Sequence, residues 1–209
     1  MLKSRDSRLI FILVVLHLVG AVGLVTEYRA FINDLTPLHL LISAVILLIG
    51  YYKFHERIVL GFVVAYLVGF FVEMFGTNTG VLFGEYLYGG GLGPELVNTP
   101  LLIGINWFIL IGSTAAIAEQ FKIAWWLKAI VASALMVFAD FLIEPTAIEL
   151  EWWTWYNDTV PLQNYITWFV TAMVIHTIWQ KLHFEKANKV GVVLYIIQIV
   201  FFLFLYFAL

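Results

Sequence analysis

Long apolar runs separated by short polar connections set the pattern of this chain. Seven segments are predominantly apolar, approximately 9–25, 37–52, 58–75, 101–118, 125–142, 162–179 and 190–209. A helix crossing a hydrocarbon core of roughly 30 Å needs about 20 residues. Apolar residues cover most faces of each segment, which predicts helices that satisfy their backbone groups internally and face lipid or one another. The strict alternation of barrel strands is missing. The expectation is an all-α, polytopic transmembrane bundle of about seven helices, forming a single domain over residues 1–209.

Two of the polar connections stand out. Glu73–Phe108 leaves one apolar segment and enters another; between the two lie Glu85, Glu95, Tyr86, Tyr88, seven glycines and no Lys or Arg. Asp140–Phe169 repeats the arrangement. Both close on Pro-Leu-x5-Trp-Phe, as Pro100-Leu101 with Trp107-Phe108 and as Pro161-Leu162 with Trp168-Phe169. Pro37-Leu38 opens a third inward-running segment 63 residues before Pro100, which lies 61 before Pro161. An internal repeat of helical hairpins follows for the second and third of these. Proline is also simply favoured at a helix start. Gly76, Gly80 and Gly84 would let helices approach closely if the third helix reached them, and Gly89-Gly90-Gly91 reads as an irregular turn.

Composition agrees with a membrane protein. At 63% hydrophobic and 12% charged residues, with a mean hydropathy of +0.96, the chain has too little polar surface for a soluble globule. The run from Leu9 to Val25 is long and has no small-residue cleavage motif, so it reads as a retained first helix. The absence of Cys excludes disulfides and thiolate metal sites. A net charge of -3 gives no reason to expect nucleic acid.

Charge sets an orientation. Of the 11 basic residues, Lys3, Arg5, Arg8, Lys53, Arg57, Lys122, Lys128, Lys181, Lys186 and Lys189 fall on one side, and Arg29 alone falls on the other. The positive-inside rule puts that side, with the N-terminus, in the cytoplasm. The expected location is the cell (inner) membrane, with the site toward the outer face. Glu27, Asp34, Glu73, Glu85, Glu95, Asp140, Glu144, Glu149, Glu151 and Asp158 map to the outer half. Glu95, Glu149, Glu151 and Asp158 read as solvated loop residues. Glu73 and Asp140 sit in the last turn or so of apolar helices, where a carboxylate costs several kcal/mol unless paired or protonated.

Asp140 and Glu144 are four apart and share a helix face if the helix continues to Pro145. Two carboxyls closing in a poorly solvated place do not both ionise readily, which leaves a proton donor beside a base. Glu73 ends its helix at the same depth. These three are the candidate catalytic residues, and an interhelical hydrogen-bond cluster that only holds the bundle together is the structural alternative. The candidate substrate-binding residues are Tyr86, Tyr88, Asn106, Trp107, Trp153, Trp155, Asn164 and Trp168. Trp107 and Trp168 each lie seven residues past a proline, about 10 Å below the boundary, deeper than a headgroup belt. Such faces attract cations or line a pocket for a flat polyene. An outer aromatic belt accounts for Trp152 and Trp153; Trp125, Trp126 and Trp179 read as inner interface anchors. Segment 190–209, interrupted only by Tyr195, Gln198 and Tyr206, reads as lipid-facing. No phosphate-binding loop or Gly-x-Ser-x-Gly elbow occurs. His17, His39, His55, His176 and His183 lack metal-ligand spacing, and the last helix has no lysine for a retinal Schiff base.

The run Glu73-x2-Gly-Thr-x-Thr-Gly-x3-Gly-x-Tyr-x-Tyr, then Leu92-Gly93-Pro94, Pro100-Leu101 and Trp107, resembles the integral-membrane carotenoid biosynthesis family. So does Asp140-x3-Glu144-Pro145-x-Ala147 with Trp153-x-Trp155, Pro161-Leu162, Asn164 and Trp168-Phe169. The resemblance covers roughly residues 60 to 180, with Glu144 where Asp is expected and Gly104 where proline is expected. Its characterised members are carotenoid 1,2-hydratases acting on γ-carotene-like or bacterioruberin-precursor ends. The resemblance implies hydration of a terminal double bond of an acyclic carotenoid: a carboxyl protonates the less substituted carbon, and water captures the tertiary cation. No metal or organic cofactor is implied. The polyene would enter from the bilayer, and association with other carotenoid enzymes is compatible with that role. Two other readings stay open, an isomerase of carotenoid end groups and a non-catalytic carotenoid-binding subunit. A small transporter would need a polar path to both faces, which the inner half lacks.

Overall fold

A computed structural model describes residues 4–51, 55–156, 159–182, 184 and 186–209; Lys3, Lys53, Asp158 and His183 lie outside the described residues. The helices among them are α1 (Ser4–Leu24), α2 (Arg29–Asp34), α3 (Thr36–Ile49), α4 (Glu56–Thr79), α5 (Leu102–Ala118), α6 (Trp125–Glu149), α7 (Leu162–Lys181) and α8 (Lys189–Ala208). The architecture is an all-α bundle. Seven of these helices coincide with the apolar runs, and the short α2 is an addition that the hydropathy pattern does not mark.

By length and composition, α1, α4, α6 and α8 can each cross a membrane. The other three expected spans fall short of that measure. Helices α3 and α5 are apolar but have 14 and 17 residues, and α7 is long enough but interrupted by Asn164, Thr167, Thr171 and His176. Helix α5 is the hub. It packs against α3, α4, α6, α7 and α8, and nearly its whole length, from Trp107 through Ala116, is buried. It is apolar all round because helices, not lipid, surround it.

Two expectations are corrected by this packing. Helix α8 buries one stripe, Val190, Leu194, Tyr195, Gln198, Phe201 and Leu205, against α1, α5 and α6, and the Tyr195 hydroxyl donates to the Leu135 carbonyl at 2.8 Å. Only its other face is free for lipid. Trp179 is fully buried, its ring lying where a side chain on Gly61 would stand, so it is core and not an interface anchor. Trp125 and Trp126, each half-exposed at the start of α6, keep a boundary position.

Helix ends decide where the polar segments sit. Helix α4 runs past Phe75 and stops at Gly80, whose φ of 67° only glycine adopts freely and whose N–H returns to the Gly76 carbonyl at 2.8 Å. The chain then doubles back so that the Phe83 ring occupies the space beside Gly76. The Gly76, Gly80 and Gly84 series therefore builds a turn rather than a helix–helix contact. Helix α6 continues through Pro145 to Glu149, which puts Asp140 and Glu144 one turn apart on one helix.

Two short ribbons close this end of the bundle. Strand β1 (Tyr86–Tyr88) pairs antiparallel with β4 (Trp153–Trp155), setting Tyr86 opposite Trp155 and Tyr88 opposite Trp153. Alternation turns both tyrosines and both tryptophans inward while Leu87 and Thr154 face out. Strands β2 (Glu95–Leu96) and β3 (Thr99–Pro100) form a tight hairpin through Val97 and Asn98, both at positive φ. At the opposite end, Arg5 donates to the Tyr51 carbonyl, Asn188 to the Leu47 carbonyl, and Lys128 pairs with Glu119 at 2.5 Å. The described basic residues thus gather at one end, and Arg29 pairs with Glu149 at the other, at 2.9 Å.

The ribbon ends on Gly89, whose N–H donates to the Trp152 carbonyl at 2.8 Å. A Cβ at Gly89 would stand 2.0 Å from the Glu151 carbonyl oxygen, whereas one at Gly90 would meet nothing within 4 Å. Gly89→Ala is expected to destabilise the protein by about 1–3 kcal/mol through backbone overpacking, and Gly90→Ala to be near neutral. Thermal unfolding in detergent checks this; equal midpoints for the two variants would contradict the ribbon geometry.

Candidate functional site

The inward faces of the β1–β4 ribbon close over a pocket between α4, α5, α6 and α7. Its walls include Glu73, Asp140, Glu144, Asn164, Tyr86 and Trp168, and its empty volume, open mouth included, is about 260 Å³. Glu73, Asp140 and Glu144 are each at most 3% exposed. Carboxyls at such depth require hydrogen-bond donors, and the neighbouring elements supply them.

Glu73, near the end of α4, is held by three. The Tyr86 and Tyr88 hydroxyls donate to its Oε2 at 2.6 and 2.8 Å, and the Trp107 indole N–H donates to Oε1 at 3.0 Å. Thr77 in turn donates to the Tyr86 hydroxyl at 3.0 Å. Burial, reinforced by the charge of Glu73, pushes both phenols well above their ordinary value, so they remain donors. On α6, Glu144 Oε2 accepts from the Trp153 and Trp155 indoles, each at 2.9 Å. Asn164 of α7 bridges the pair of acids, donating to Asp140 Oδ2 at 2.9 Å and to Glu144 Oε1 at 3.4 Å. Asp140 Oδ1 takes no hydrogen bond from a described residue.

The two stretches are facing copies. Glu73 stands 13 and 15 residues before Tyr86 and Tyr88, and Asp140 stands 13 and 15 before Trp153 and Trp155. The ribbon then pairs these aromatic couples about its own centre. Trp107 and Trp168, at matching offsets on α5 and α7, stack face to face with ring centroids 4.4 Å apart and planes 18° apart. Gly69 makes room for this, since a Cβ there would lie 2.3 Å from Trp107. The copies differ in one respect. In the second, the ribbon donors reach Glu144, one turn beyond Asp140, and so leave Asp140 the least engaged acid. Helix α3, which opens on Pro37, brings no carboxyl to this pocket.

Of the residues singled out from sequence, Glu73, Asp140, Glu144, Tyr86, Tyr88, Trp107, Trp153, Trp155, Asn164 and Trp168 converge here. Asn106 does not; it lines a neighbouring cavity. Adjacent helix residues point in different directions. Asn164 shares a face with Trp168 because they are four apart, whereas Asn106 directly precedes Trp107. The residue four before Trp107 is Ile103, which lines the pocket and went unmarked because an apolar side chain in an apolar helix gives no signal. Thr77 was likewise missed. Trp152 and Trp153 are buried, with Trp152 donating to Asn33 of α2 at 2.6 Å and Trp153 to Glu144. Neither belongs to an outer belt. Glu85, just before β1, and Glu95 of β2 are exposed.

Fold and site together define a helical-bundle membrane protein with a small pocket of acids and aromatic donors. The chain belongs to the carotenoid biosynthesis protein family, whose model matches residues 35–209. A bisanhydrobacterioruberin hydratase from Haloarcula japonica is similar to it, 26% identical over 186 residues that cover 78% of this chain. The chain spans 61% of that relative's length. No solved structure matches the chain.

Proposed function

We propose that this protein hydrates the terminal carbon–carbon double bond of an acyclic carotenoid end, as a carotenoid 1,2-hydratase. The observation that carries the reading is the convergence of three buried carboxyls and stacked aromatic rings on one small pocket in a chain of this family. In the proposed reaction, Asp140 gives its proton to the less substituted alkene carbon. The alkene π pair forms the new C–H bond and leaves a tertiary cation. Water adds to that cation, and Glu144 or Glu73 takes the surplus proton. Return of that proton from the accepting carboxyl to Asp140 resets the site, for a net addition of one water. Asp140 is assigned the donor role because its Oδ1 is not occupied by a described donor. Glu73, with both oxygens accepting, suits a fixed negative charge or a base. The faces of Tyr86, Trp155 and Trp168 favour the cation.

Expressed in cells that accumulate an acyclic carotenoid, the wild-type chain is expected to yield a product heavier by one water. Asp140→Asn, which keeps the bond from Asn164 feasible, is expected to lower that yield at least a hundredfold, on the order of a general acid's contribution, with the protein still folded and inserted. Normal turnover by Asp140→Asn would remove Asp140 as the donor and make Glu73 the first candidate. No product from a folded wild-type chain would contradict the hydratase reading.

The division of basic residues supports a cytoplasmic basic end, with the ribbons and the pocket toward the outer face of the cell membrane. Asn98 lies exposed at the tip of the β2–β3 hairpin. A cysteine introduced at Asn98 is expected to react with an impermeant thiol reagent in intact cells. Reaction only after permeabilisation would invert the orientation.

A further inference from the structure

The acid pocket is too small for a whole carotenoid, and a larger space adjoins it. This second cavity lies among α1, α3, α5, α6 and α8, with an empty volume of about 940 Å³ including its open mouth. Leu24, Leu40, Leu102 and Phe202 are typical of its lining, with Asn106 and Gln198 among its few polar groups. It shares two walls, Ile103 and Trp153, with the acid pocket. At its far side it shares His17 and Phe201 with a groove between α1 and α8. That groove is open to the surface and flanked by Leu18, Val22, Ile196 and Val200, all more than half exposed.

The three spaces lie in series, and we infer that they form one passage, through which the carotenoid enters sideways from the bilayer between α1 and α8 and in which its hydrocarbon arm lies while its end group reaches the acids. The inference rests on the proposed carotenoid substrate. The chemistry of each part fits one long apolar occupant. A linear polyene dissolves in the bilayer core, so its entrance belongs on an apolar lipid-facing groove. The arm needs an apolar sleeve, and only the reacting end needs acids and donors. The junction is built narrowly. The His17 ring is anchored by its Nδ1–H to the Leu13 carbonyl at 2.9 Å and packs edge-on against Phe201 and His39, at centroid distances of 5.5 and 4.4 Å. Gly20, one turn along α1, leaves open the space beside Phe201: a Cβ there would already sit 3.4 Å from that ring. A large side chain at Gly20 would fill the passage without touching the acid pocket.

The test uses purified wild type and the graded variants Gly20→Ala, Gly20→Leu and Gly20→Phe, with two substrates. One is a full-length acyclic carotenoid, and the other a short acyclic terpene hydrocarbon bearing the same terminal unit. The ratio of kcat/KM for the long substrate to that for the short one is expected to fall with side-chain size, at least tenfold for Gly20→Phe. Turnover of the short substrate reports that each variant is folded, and Gly20→Leu carries the test if Gly20→Phe does not fold. An unchanged ratio in the folded variants would overturn the passage. If wild type hydrates neither substrate, the hydratase reading fails separately. The passage is then read from the visible absorption of bound carotenoid, whose Kd should rise at least tenfold in Gly20→Phe; an equal Kd would overturn it.

Discussion

Placing Glu73, Asp140 and Glu144 inside an apolar bundle demands more hydrogen-bond donors than its helices supply. Each buried carboxyl left without hydrogen bonds would cost several kcal/mol. Most of the donors come from the two ribbon strands, through Tyr86 and Tyr88 for Glu73 and Trp153 and Trp155 for Glu144, while Trp107 of α5 and Asn164 of α7 supply the others. This requirement explains why a helical protein carries a two-stranded ribbon at one end. It also explains the glycines around it: Gly80 reverses the chain after α4, and Gly89 lets the ribbon backbone approach Glu151. Carboxyls, ribbon and turns form one interdependent unit.

The duplication gives the site its shape. Two hairpins that each present an acid, an aromatic couple and a deep tryptophan meet so that the couples pair and the tryptophans stack. Symmetry alone would give two equivalent acids. The extra carboxyl at Glu144 breaks it, drawing off both indole donors and leaving Asp140, among the described residues, with the Asn164 amide as its donor. A pocket with one loosely held acid beside two firmly held ones suits the separate tasks of giving a proton and taking one.

Much of this was legible in the chain. Hydropathy located the helices, and the recurring Pro-Leu-x5-Trp-Phe pattern located the facing halves, because a helix converts equal offsets from a boundary into equal depth. The ribbon was not foreseen: three-residue strands leave too short an alternation to read, although Tyr-x-Tyr and Trp-x-Trp carry it. Burial by neighbouring helices was also hidden. Hydropathy alone cannot separate a helix wrapped in protein, such as α5, from one wrapped in lipid, and Trp179 was misplaced for that reason. Asn106 lies at a depth comparable to Asn164 but lines the neighbouring cavity rather than the acid pocket, because adjacent residues of a helix point in different directions.

The proposed hydration requires the buried acids to deliver a proton to carbon. The most direct measurement is turnover of an acyclic carotenoid by the purified protein in heavy water. Hydration by this route gives a product with one non-exchangeable deuterium on the carbon beside the new tertiary alcohol, formed by wild type and lost in Asp140→Asn. Carotenoid that binds but emerges without added water or carbon-bound deuterium would contradict it and leave the chain a carotenoid-binding subunit.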